Sequence, residues 1–400
     1  MSPTPSQTAD AADTIRTTLH DGRLIVCVGP GGVGKTTTAA TLGLRAAMAG
    51  RKTIVLTIDP ARRLANSLGL DSLTNTPQQI ELHPAYRATD ALEADEHSGD
   101  GELWAMMLDS EETFNDLIDQ YAPDDKALEK GRENNIYKLL SSALHGMQEY
   151  MALDKLHDLY TGGYFDLVVL DTPPTKNALE FLETPKRAAT FFDDRIIKWF
   201  LPDRDAGFFS RVFNPGSVVL KLISKVLGES FVNDLVEFFD TFHYLQEALQ
   251  QRGEMIEFIL RDPRTHFFVI TSADPRRIKE AHYFHEKLSE LEQQARVFIL
   301  NRIIPHFDGG DLTPLDDATL GDRLSEHLPD TDTELMAEQL KTHYLRLASL
   351  ASRDRRAIED LADRVGGDLL RLVPLLGEDV HNLRQLLRLS DYLTPLNPDH

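Results

Sequence analysis

A glycine-rich segment near the start of the chain carries the residue pattern with the clearest chemical meaning. Gly29, Gly34, Lys35 and Thr36 satisfy the spacing G-x-x-x-x-G-K-[ST], which is typical of loops that bind nucleotide phosphates. Glycine lets backbone N–H groups point inward at phosphate oxygens, the lysine reaches the β- and γ-phosphates, and the threonine hydroxyl coordinates Mg²⁺. The pattern therefore predicts a phosphate-binding loop, and the alternative is a glycine-rich turn without a ligand.

The elements on either side of this loop favour the first interpretation. An apolar run from Arg23 to Val28 predicts a strand before the loop, and an alanine- and leucine-rich run to Met48 predicts a helix after it. A helix that begins at the loop adds the positive end of its dipole to phosphate binding. Cys27, the only cysteine, lies within the predicted strand, so the chain has neither an internal disulfide nor a cysteine-based metal site.

Asp59 follows the next apolar run, Thr53 to Ile58. Such a run suits a parallel strand buried on both faces, and ligand-binding residues of open α/β sheets gather beyond the carboxyl ends of these strands. We therefore expect Asp59 to be a catalytic or metal-linked carboxylate. The alternative is that Asp59 caps a helix from Arg62 to Leu70.

Asp171 closes a third apolar run, which starts at Phe165 and is followed by Thr172-Pro173-Pro174-Thr175. This arrangement is typical of a Walker B strand, whose carboxylate holds Mg²⁺, followed by a loop that senses the γ-phosphate. The alternative is a strand-end aspartate that only caps a turn.

These motifs together resemble the ArsA/GET family of P-loop ATPases, which comprises arsenical pump-driving ATPases and targeting factors for tail-anchored membrane proteins. The resemblance rests first on GGVGKTTTAA, TIDPARRLANSLGL and DLVVLDTPPTKNALEFLETP. VFILNRIIP at 297–305 resembles the family strand whose asparagine contacts adenine, and RLVPLLGEDVHNLRQL at 371–386 resembles the strand and loop that close over the base. The likeness extends from about residue 22 to 393 and includes one ATPase unit.

The resemblance implies a role for each matching residue. Asp59 orients or activates the attacking water together with the phosphate-bound Lys35, and Thr36 and Asp171 hold the metal. The family members work as nucleotide-gated dimers, closed with ATP and open without it, so the implied partner is a second copy or a homologous ATPase subunit. The residues expected to contact ATP are Gly31, Gly32, Val33, Gly34, Lys35, Thr36, Thr37, Asn301, Pro374 and Leu375.

The chain departs from the family pattern in three ways. The family loop begins with an additional signature lysine that reaches the phosphates across the dimer, but this chain has Pro30 there. Asn177 replaces the histidine of the family segment D-T-A-P-T-G-H. The chain also has no CxxC and a single cysteine, which excludes capture of arsenite by a cluster of thiolates within it.

Composition fits a globular protein with one large α/β unit. The chain has 400 residues, 42% hydrophobic and 26% charged, and a net charge of −22. This charge argues against broad binding to nucleic acid or anionic lipid. There is no apolar run long enough to span a membrane and no pattern typical of a signal peptide, so we expect a cytoplasmic protein.

We expect an α/β fold: a three-layer P-loop NTPase with a mostly parallel sheet and an inserted helical subdomain. Residues 1–20 are interpreted as a flexible polar tail, and residues 21–400 as the ATPase domain with the insertion at about 185–260. Residues 75–100 are expected to form a surface loop and 102–121 a helix. Eleven of the nineteen phenylalanines lie between residues 181 and 242, and they form either a closed core or an open groove for a hydrophobic helix.

Three functions remain open from the sequence. The first is an ATPase that energises an anion or metalloid transporter. The second is an ATP-gated chaperone or targeting factor for hydrophobic protein segments. The third is a regulatory switch with slow turnover, paired with a homologous subunit that keeps the signature lysine.

Overall fold

The structure is a computed structural model of the chain. It describes residues 5–59, 62–82, 101–121, 148–173, 228, 249, 251–305, 317–327 and 332–395. Most of the expected insertion, from 185 to 248, and Asn177 lie outside the described residues.

An eight-stranded sheet forms the centre of the described part of the chain. Its spatial order is β3-β4-β2-β5-β1-β6-β7-β8, and every neighbouring pair is parallel except β3 with β4. The strands are β1 Leu24–Val28, β2 Lys52–Thr57, β3 Gln78–Ile80, β4 Glu102–Met107, β5 Leu167–Asp171, β6 Thr265–Thr271, β7 Ala295–Ile303 and β8 Leu370–Pro374.

Helices cover both faces of this sheet. They are α1 Pro5–Asp21, α2 Lys35–Met48, α3 Arg63–Leu68, α4 Ser110–Tyr121, α5 Gln148–Thr161, α6 at 251–261, α7 Pro275–Glu290, α8 Asp317–His327, α9 Thr333–Val365 and α10 Leu383–Leu393. A short 3₁₀ turn, Gly367–Leu369, precedes β8.

Two apolar cores lie between the sheet and the helices, one on each face of the sheet. All five residues of β1 and of β5 are buried, because both strands lie in the middle of the sheet with helices above and below them. One core joins the sheet to α1, α2, α3 and α10, and the other joins it to α4, α5, α6, α7 and the end of α9. The three-layer α/β fold and the mostly parallel sheet predicted from the sequence are confirmed.

The start of the chain differs from the expected flexible tail. Residues 5–21 form α1, whose Ala11, Ile15, Thr18 and Leu19 are at most 4% exposed. These residues recur at helical spacing on one face, and α1 packs against β7 and β8. The segment is mostly polar, so the few apolar residues on one face of the helix were not recognised in the sequence.

The interpretation of 102–121 as one helix is wrong in its first part. Glu102–Met107 forms β4, which pairs with all six residues of β2. Leu103, Ala105 and Met106 favour helix on intrinsic propensity, but they are buried, and packing in a sheet overrides that preference. The helix begins only at Ser110. β3 likewise lies within the expected loop at 75–100.

The parallel strands bring their carboxyl ends to one edge of the sheet. β1 lies between β5 and β6, and β2 is the other neighbour of β5. The segments after β1, β2, β5, β6 and β7 therefore meet at this edge, where the sequence placed its candidate residues. Within the described residues, no helix has both the length and the apolar character needed to cross a bilayer.

Candidate functional site

The glycine-rich loop joins the end of β1 to the start of α2. Gly29 has a φ of 148°, and a Cβ atom there would lie 2.0 Å from the carbonyl oxygen of Ile270 in β6. Gly34, which precedes the helix, has a φ of 95°. Both positions require glycine, because a Cβ atom would clash at the first and strain the backbone at the second. The tight turn leaves the crest of the loop, Gly31 and Gly32, exposed.

Lys35 bends back over the loop that precedes it. Its Nζ donates hydrogen bonds to the carbonyl oxygens of Gly29 and Pro30, at 2.9 and 3.0 Å. The side chain is buried, and burial lowers the pKa of its ammonium group, an effect that the nearby Asp171 carboxylate opposes. The charge is thus held inside the loop by neutral carbonyl groups, and phosphate oxygens would be stronger acceptors for it.

Asp171 connects the loop to two neighbouring strands. Its Oδ2 accepts hydrogen bonds from the hydroxyl groups of Thr36, at 2.7 Å, and Thr57, at 2.8 Å. Its Oδ1 is buried and has no hydrogen-bond partner among the described residues. Burial raises the pKa of this carboxyl group from 3.8 to about 6, although the two hydroxyl groups lower it. A buried carboxylate oxygen without a partner is costly unless a ligand satisfies it.

The donor set fits a magnesium ion. Mg²⁺ prefers oxygen ligands and is commonly held by one or two protein groups together with substrate phosphates. The Thr36 hydroxyl group and the Asp171 carboxylate, with its unpartnered Oδ1, offer such oxygens next to the phosphate loop. A cation here would also remove the cost of keeping Asp171 ionised in a buried position.

Asp59 lies at the end of β2, beside this group. Its backbone N–H donates to Thr57 Oγ1 at 3.2 Å, and its Oδ2 lies 3.4 Å from a guanidinium nitrogen of Arg63. The alternative role, as the cap of α3, is wrong, because that helix begins at Arg63 and its N-cap is Arg62. The Asp59 carboxylate therefore lies at the carboxyl edge of the sheet, paired with Arg63.

Thr172, directly after Asp171, joins the segment that follows β5 to β1. Its hydroxyl group donates to the carbonyl oxygen of Cys27 at 2.8 Å. Cys27 itself is fully buried, and burial raises the pKa of its thiol well above the usual value. The lone cysteine is therefore a protonated core residue rather than a nucleophile.

Asn301, in β7, contacts the phosphate loop from the side of the sheet opposite to β5. Its Nδ2 donates to the carbonyl oxygen of Val33 at 3.0 Å, and its Oδ1 accepts from the backbone of Arg302 at 2.9 Å. A Cβ atom on Gly34 would lie only 2.3 Å from Nδ2. This clash is a second reason why position 34 requires glycine. One N–H of Nδ2 and one lone pair of Oδ1 remain available for an adenine base.

Pro374 and Leu375 lie beside Asn301 at the neighbouring strand end. Ile303 pairs with Pro374, and the backbone N–H of Leu375 donates to the carbonyl oxygen of Ile303 at 2.8 Å. The Leu375 side chain is 53% exposed. The structure thus brings the two predicted adenine-contacting segments together at one edge of the sheet.

The sequence comparisons agree with this geometry. The model of the anion-transporting ATPase family, also called ArsA ATPase, matches residues 22–312. This chain belongs to that family. The family predicted from the sequence motifs is therefore confirmed, and the match supports the interpretation of the chain as an ATPase.

Individual members of the anion-transporting ATPase family are distant relatives. A protein of Aquifex aeolicus, named as a candidate arsenical pump-driving ATPase, is 23% identical over 71% of this chain and 64% of its own length. ATPase ARSA1 of Chlamydomonas reinhardtii is 25% identical over 70% and 35% of the two lengths. ATPase GET3 of Malassezia globosa is 29% identical over 40% and 42%. The chain spans less than two thirds of each of these relatives.

Two residues of this family member were missed or set aside by the sequence analysis. Thr57 was interpreted only as part of a strand, although a threonine two positions before Asp59 was a signal for a polar group at the carboxyl edge. Arg277 belongs to none of the sequence motifs, and the structure places its guanidinium group beside Gly32.

Proposed function

We propose that this chain is a Mg²⁺-dependent ATPase that hydrolyses ATP to ADP and phosphate and acts as a nucleotide-gated dimer to energise an anion transporter. The observation that carries the proposal is the hydrogen bond between Thr36 and Asp171, with the buried, unpartnered Asp171 Oδ1 beside the Lys35 ammonium group. An oxygen ligand pair next to a phosphate loop is what a metal-bound triphosphate requires.

Each site residue has a proposed role in binding. The backbone N–H groups of Gly31 to Thr37 and the start of α2 hold the phosphates, and Lys35 exchanges its two carbonyl partners for phosphate oxygens. Thr36 and Asp171 hold Mg²⁺, which neutralises charge on the phosphates when bound. Asp59 orients or activates the attacking water. Most of the acceleration then comes from positioning and charge stabilisation rather than from a covalent intermediate.

The positions of the two aspartates support gating by nucleotide. Thr57 and Asp171 are register partners in neighbouring strands, so the segments after β2 and β5 leave the sheet side by side. A γ-phosphate between them would contact both segments, and its loss would release both. Such a coupled pair is suited to switch a dimer between closed and open forms.

The family favours an anion as the transported species, and the cysteine count bears on which protein recognises that anion. The matching model describes anion-transporting ATPases. The single cysteine is fully buried, so the chain holds no thiolate cluster that would capture arsenite. We therefore propose that the transporter partner, and not this chain, recognises the anion, and that the chain acts from the cytoplasm.

Release of inorganic phosphate from ATP tests the enzymatic part of the proposal. The parent protein is assayed with Mg²⁺ and with excess EDTA, each with and without ATP at saturating concentration. Hydrolysis that requires the metal supports the proposal. Absence of hydrolysis with Mg²⁺, in a protein that also fails to bind ATP, contradicts it.

A second candidate function is an ATP-gated chaperone or targeting factor for hydrophobic segments. The observation in its favour is the concentration of eleven phenylalanines between residues 181 and 242, which lie outside the described residues. Binding of a fluorescent peptide of about 20 apolar residues, tight with ATP and weak with ADP, would favour this candidate. A peptide that does not bind in either state would favour the transporter role.

A further inference from the structure

Because Pro30 replaces the signature lysine of the family, the phosphate loop has one positively charged side chain fewer than the family pattern. The family's signature lysine stands at this position and brings a second positive charge to the phosphates, whereas proline carries no charge. Within the loop itself, Lys35 is the only basic side chain from Gly29 to Thr38. A triphosphate with its metal still carries excess negative charge, so the missing cation should be replaced from elsewhere.

Arg277 lies where such a replacement is needed. β6 pairs with β1 up to Val28, opposite Val269, so the segment after β6 runs beside the phosphate loop. The guanidinium group of Arg277 reaches the crest of that loop. A Cβ atom built on Gly32 would lie 3.7 Å from Nη2 and 3.9 Å from Nη1.

Positive charge lies close to the guanidinium group of Arg277, and the nearby Asp274 carboxylate accepts from backbone N–H groups. The residue is in the first turn of α7, where the helix dipole is positive and disfavours a cation. Its backbone N–H donates to Asp274 and its carbonyl oxygen accepts from Thr271. Its guanidinium group, by contrast, makes no hydrogen bond or ion pair with any described residue. The start of α2 and the buried Lys35 add further positive charge nearby.

A half-buried arginine whose guanidinium group contacts no carboxylate of the described residues is well placed to bind an anion. The exposed crest of a phosphate loop is where the phosphates of a bound nucleotide would supply it. The planar guanidinium fork binds phosphate oxygens with two parallel hydrogen bonds, which suits a residue that approaches from the side of the loop.

We propose that Arg277 contacts the β- and γ-phosphates of ATP and supplies, from within the chain, the positive charge that Pro30 cannot. The inference rests on the proposed function, because it assigns an additional residue to the same nucleotide site. It also removes the need for a lysine from a partner subunit in the hydrolysis step. An arginine that acts in this way in GTPases accelerates hydrolysis about 10³- to 10⁵-fold.

The chain offers a matched control for this assignment. Arg276 precedes Arg277 in the same helical turn, its backbone N–H also donates to Asp274, and its side chain is exposed. Arg276→Gln and Arg277→Gln therefore remove the same charge from the same turn, and glutamine keeps most of the side-chain length. Of the two, Arg277 is the one whose guanidinium group lies beside Gly32.

The test compares kcat, KM and ATP affinity for the parent and these two variants. ATP affinity is measured by calorimetry in EDTA, and thermal unfolding checks that both variants fold. We expect Arg277→Gln to lower kcat about 100-fold and to weaken ATP binding, while Arg276→Gln matches the parent. The inference is overturned if Arg277→Gln lowers kcat less than about tenfold, or if Arg276→Gln lowers it equally.

Failure of the proposed function and failure of the role of Arg277 give different results in this test. A parent that neither binds nor hydrolyses ATP contradicts the proposed function. A parent that hydrolyses ATP, together with an inactive Lys35→Ala and a fully active Arg277→Gln, contradicts only the role of Arg277.

Discussion

Thr36 and Asp171, which lie 135 residues apart in the chain, are joined by a hydrogen bond of 2.7 Å from Thr36 Oγ1 to Asp171 Oδ2. The bond connects the first turn of the helix after the phosphate loop to the end of the neighbouring strand. It leaves Oδ1 of the same carboxylate buried without a partner among the described residues. Thr36 Oγ1 and Asp171 Oδ1 are thus oxygen donors of the kind that the proposed Mg²⁺ ion requires.

Removal of the Lys35 ammonium group should strongly weaken ATP binding. Lys35 already holds two oxygen acceptors, and replacing them with phosphate oxygens yields charge-assisted bonds. We expect Lys35→Ala to weaken ATP binding by about 3 kcal/mol or more, which is about 100-fold, as measured by calorimetry.

Lys52→Ala is the control for this substitution. Lys52 begins β2 at the opposite edge of the sheet, where its Nζ lies 3.6 Å from Glu102. ATP affinity should remain at the parent value. If Lys35→Ala and Lys52→Ala bind ATP equally well, the loop is not the nucleotide site.

The raised pKa of Asp171 predicts how stability varies with pH in EDTA. The pKa of about 6 in the fold exceeds the usual 3.8, so between these values the folded protein binds more protons than the unfolded chain. The free energy of unfolding should therefore fall as pH rises from about 4 to about 7, by about 3 kcal/mol from this group. Asp171→Asn should lack this decrease.

Urea unfolding of both proteins at pH 4 and pH 7 checks this prediction. Asp154 has a pKa raised to about 6 by burial as well, but it is present in both proteins and cancels in the difference. The stability of Asp171→Asn relative to the parent should be greater at pH 7 than at pH 4. An equal difference at the two pH values would contradict the assignment of a costly buried charge to Asp171.

Asn301 has two proposed tasks that can be separated by the choice of nucleotide. It holds the phosphate loop through Val33, and by family resemblance it contacts the adenine base. Loss of the first task weakens all nucleotides, whereas loss of the second weakens ATP more than GTP. We expect Asn301→Ala to lower ATP affinity about tenfold, equivalent to one hydrogen bond, and GTP affinity less.

Asn301→Asp refines this comparison. The aspartate can still accept from the backbone of Arg302 but cannot donate to Val33 or to the base. It should resemble Asn301→Ala in calorimetric titrations with both nucleotides. An equal loss of ATP and GTP affinity in both variants would limit Asn301 to supporting the loop.

Asp59→Asn should separate ATP binding from turnover. Asparagine has the same shape, but it cannot accept a proton from the attacking water. We expect ATP affinity near the parent value and a kcat lower by about 100-fold or more. Phosphate release at the parent rate would show that Asp59 has no part in the chemistry.

The sheet could be predicted from the sequence where burial on both faces imposes a continuous apolar run. β1, β2 and β5 were recognised in this way. The loop and both aspartates were found because parallel strands bring such residues to one edge. β4 was missed because its residues favour helix and only its pairing with β2 makes it a strand.

Contacts between distant segments could not be predicted in the same way. The hydrogen bond of Thr57 to Asp171 and that of Asn301 to Val33 depend on strand order and register, which no local pattern specifies. The proximity of Arg277 to Gly32 has the same origin, since it follows from the placement of β6 beside β1. α1 was misjudged because few apolar residues among many polar ones are enough to bury one helix face.

The proposed dimer closes with ATP and opens after hydrolysis. Light scattering of the parent and of Asp59→Asn, each without nucleotide, with Mg²⁺-ADP and with Mg²⁺-ATP, tests this gating most directly. We expect Asp59→Asn with Mg²⁺-ATP to form a compact dimer that loosens or dissociates with ADP, and the parent to show this dimer only until its ATP is consumed. A monomer under all of these conditions, in a protein that binds ATP, would contradict the claim.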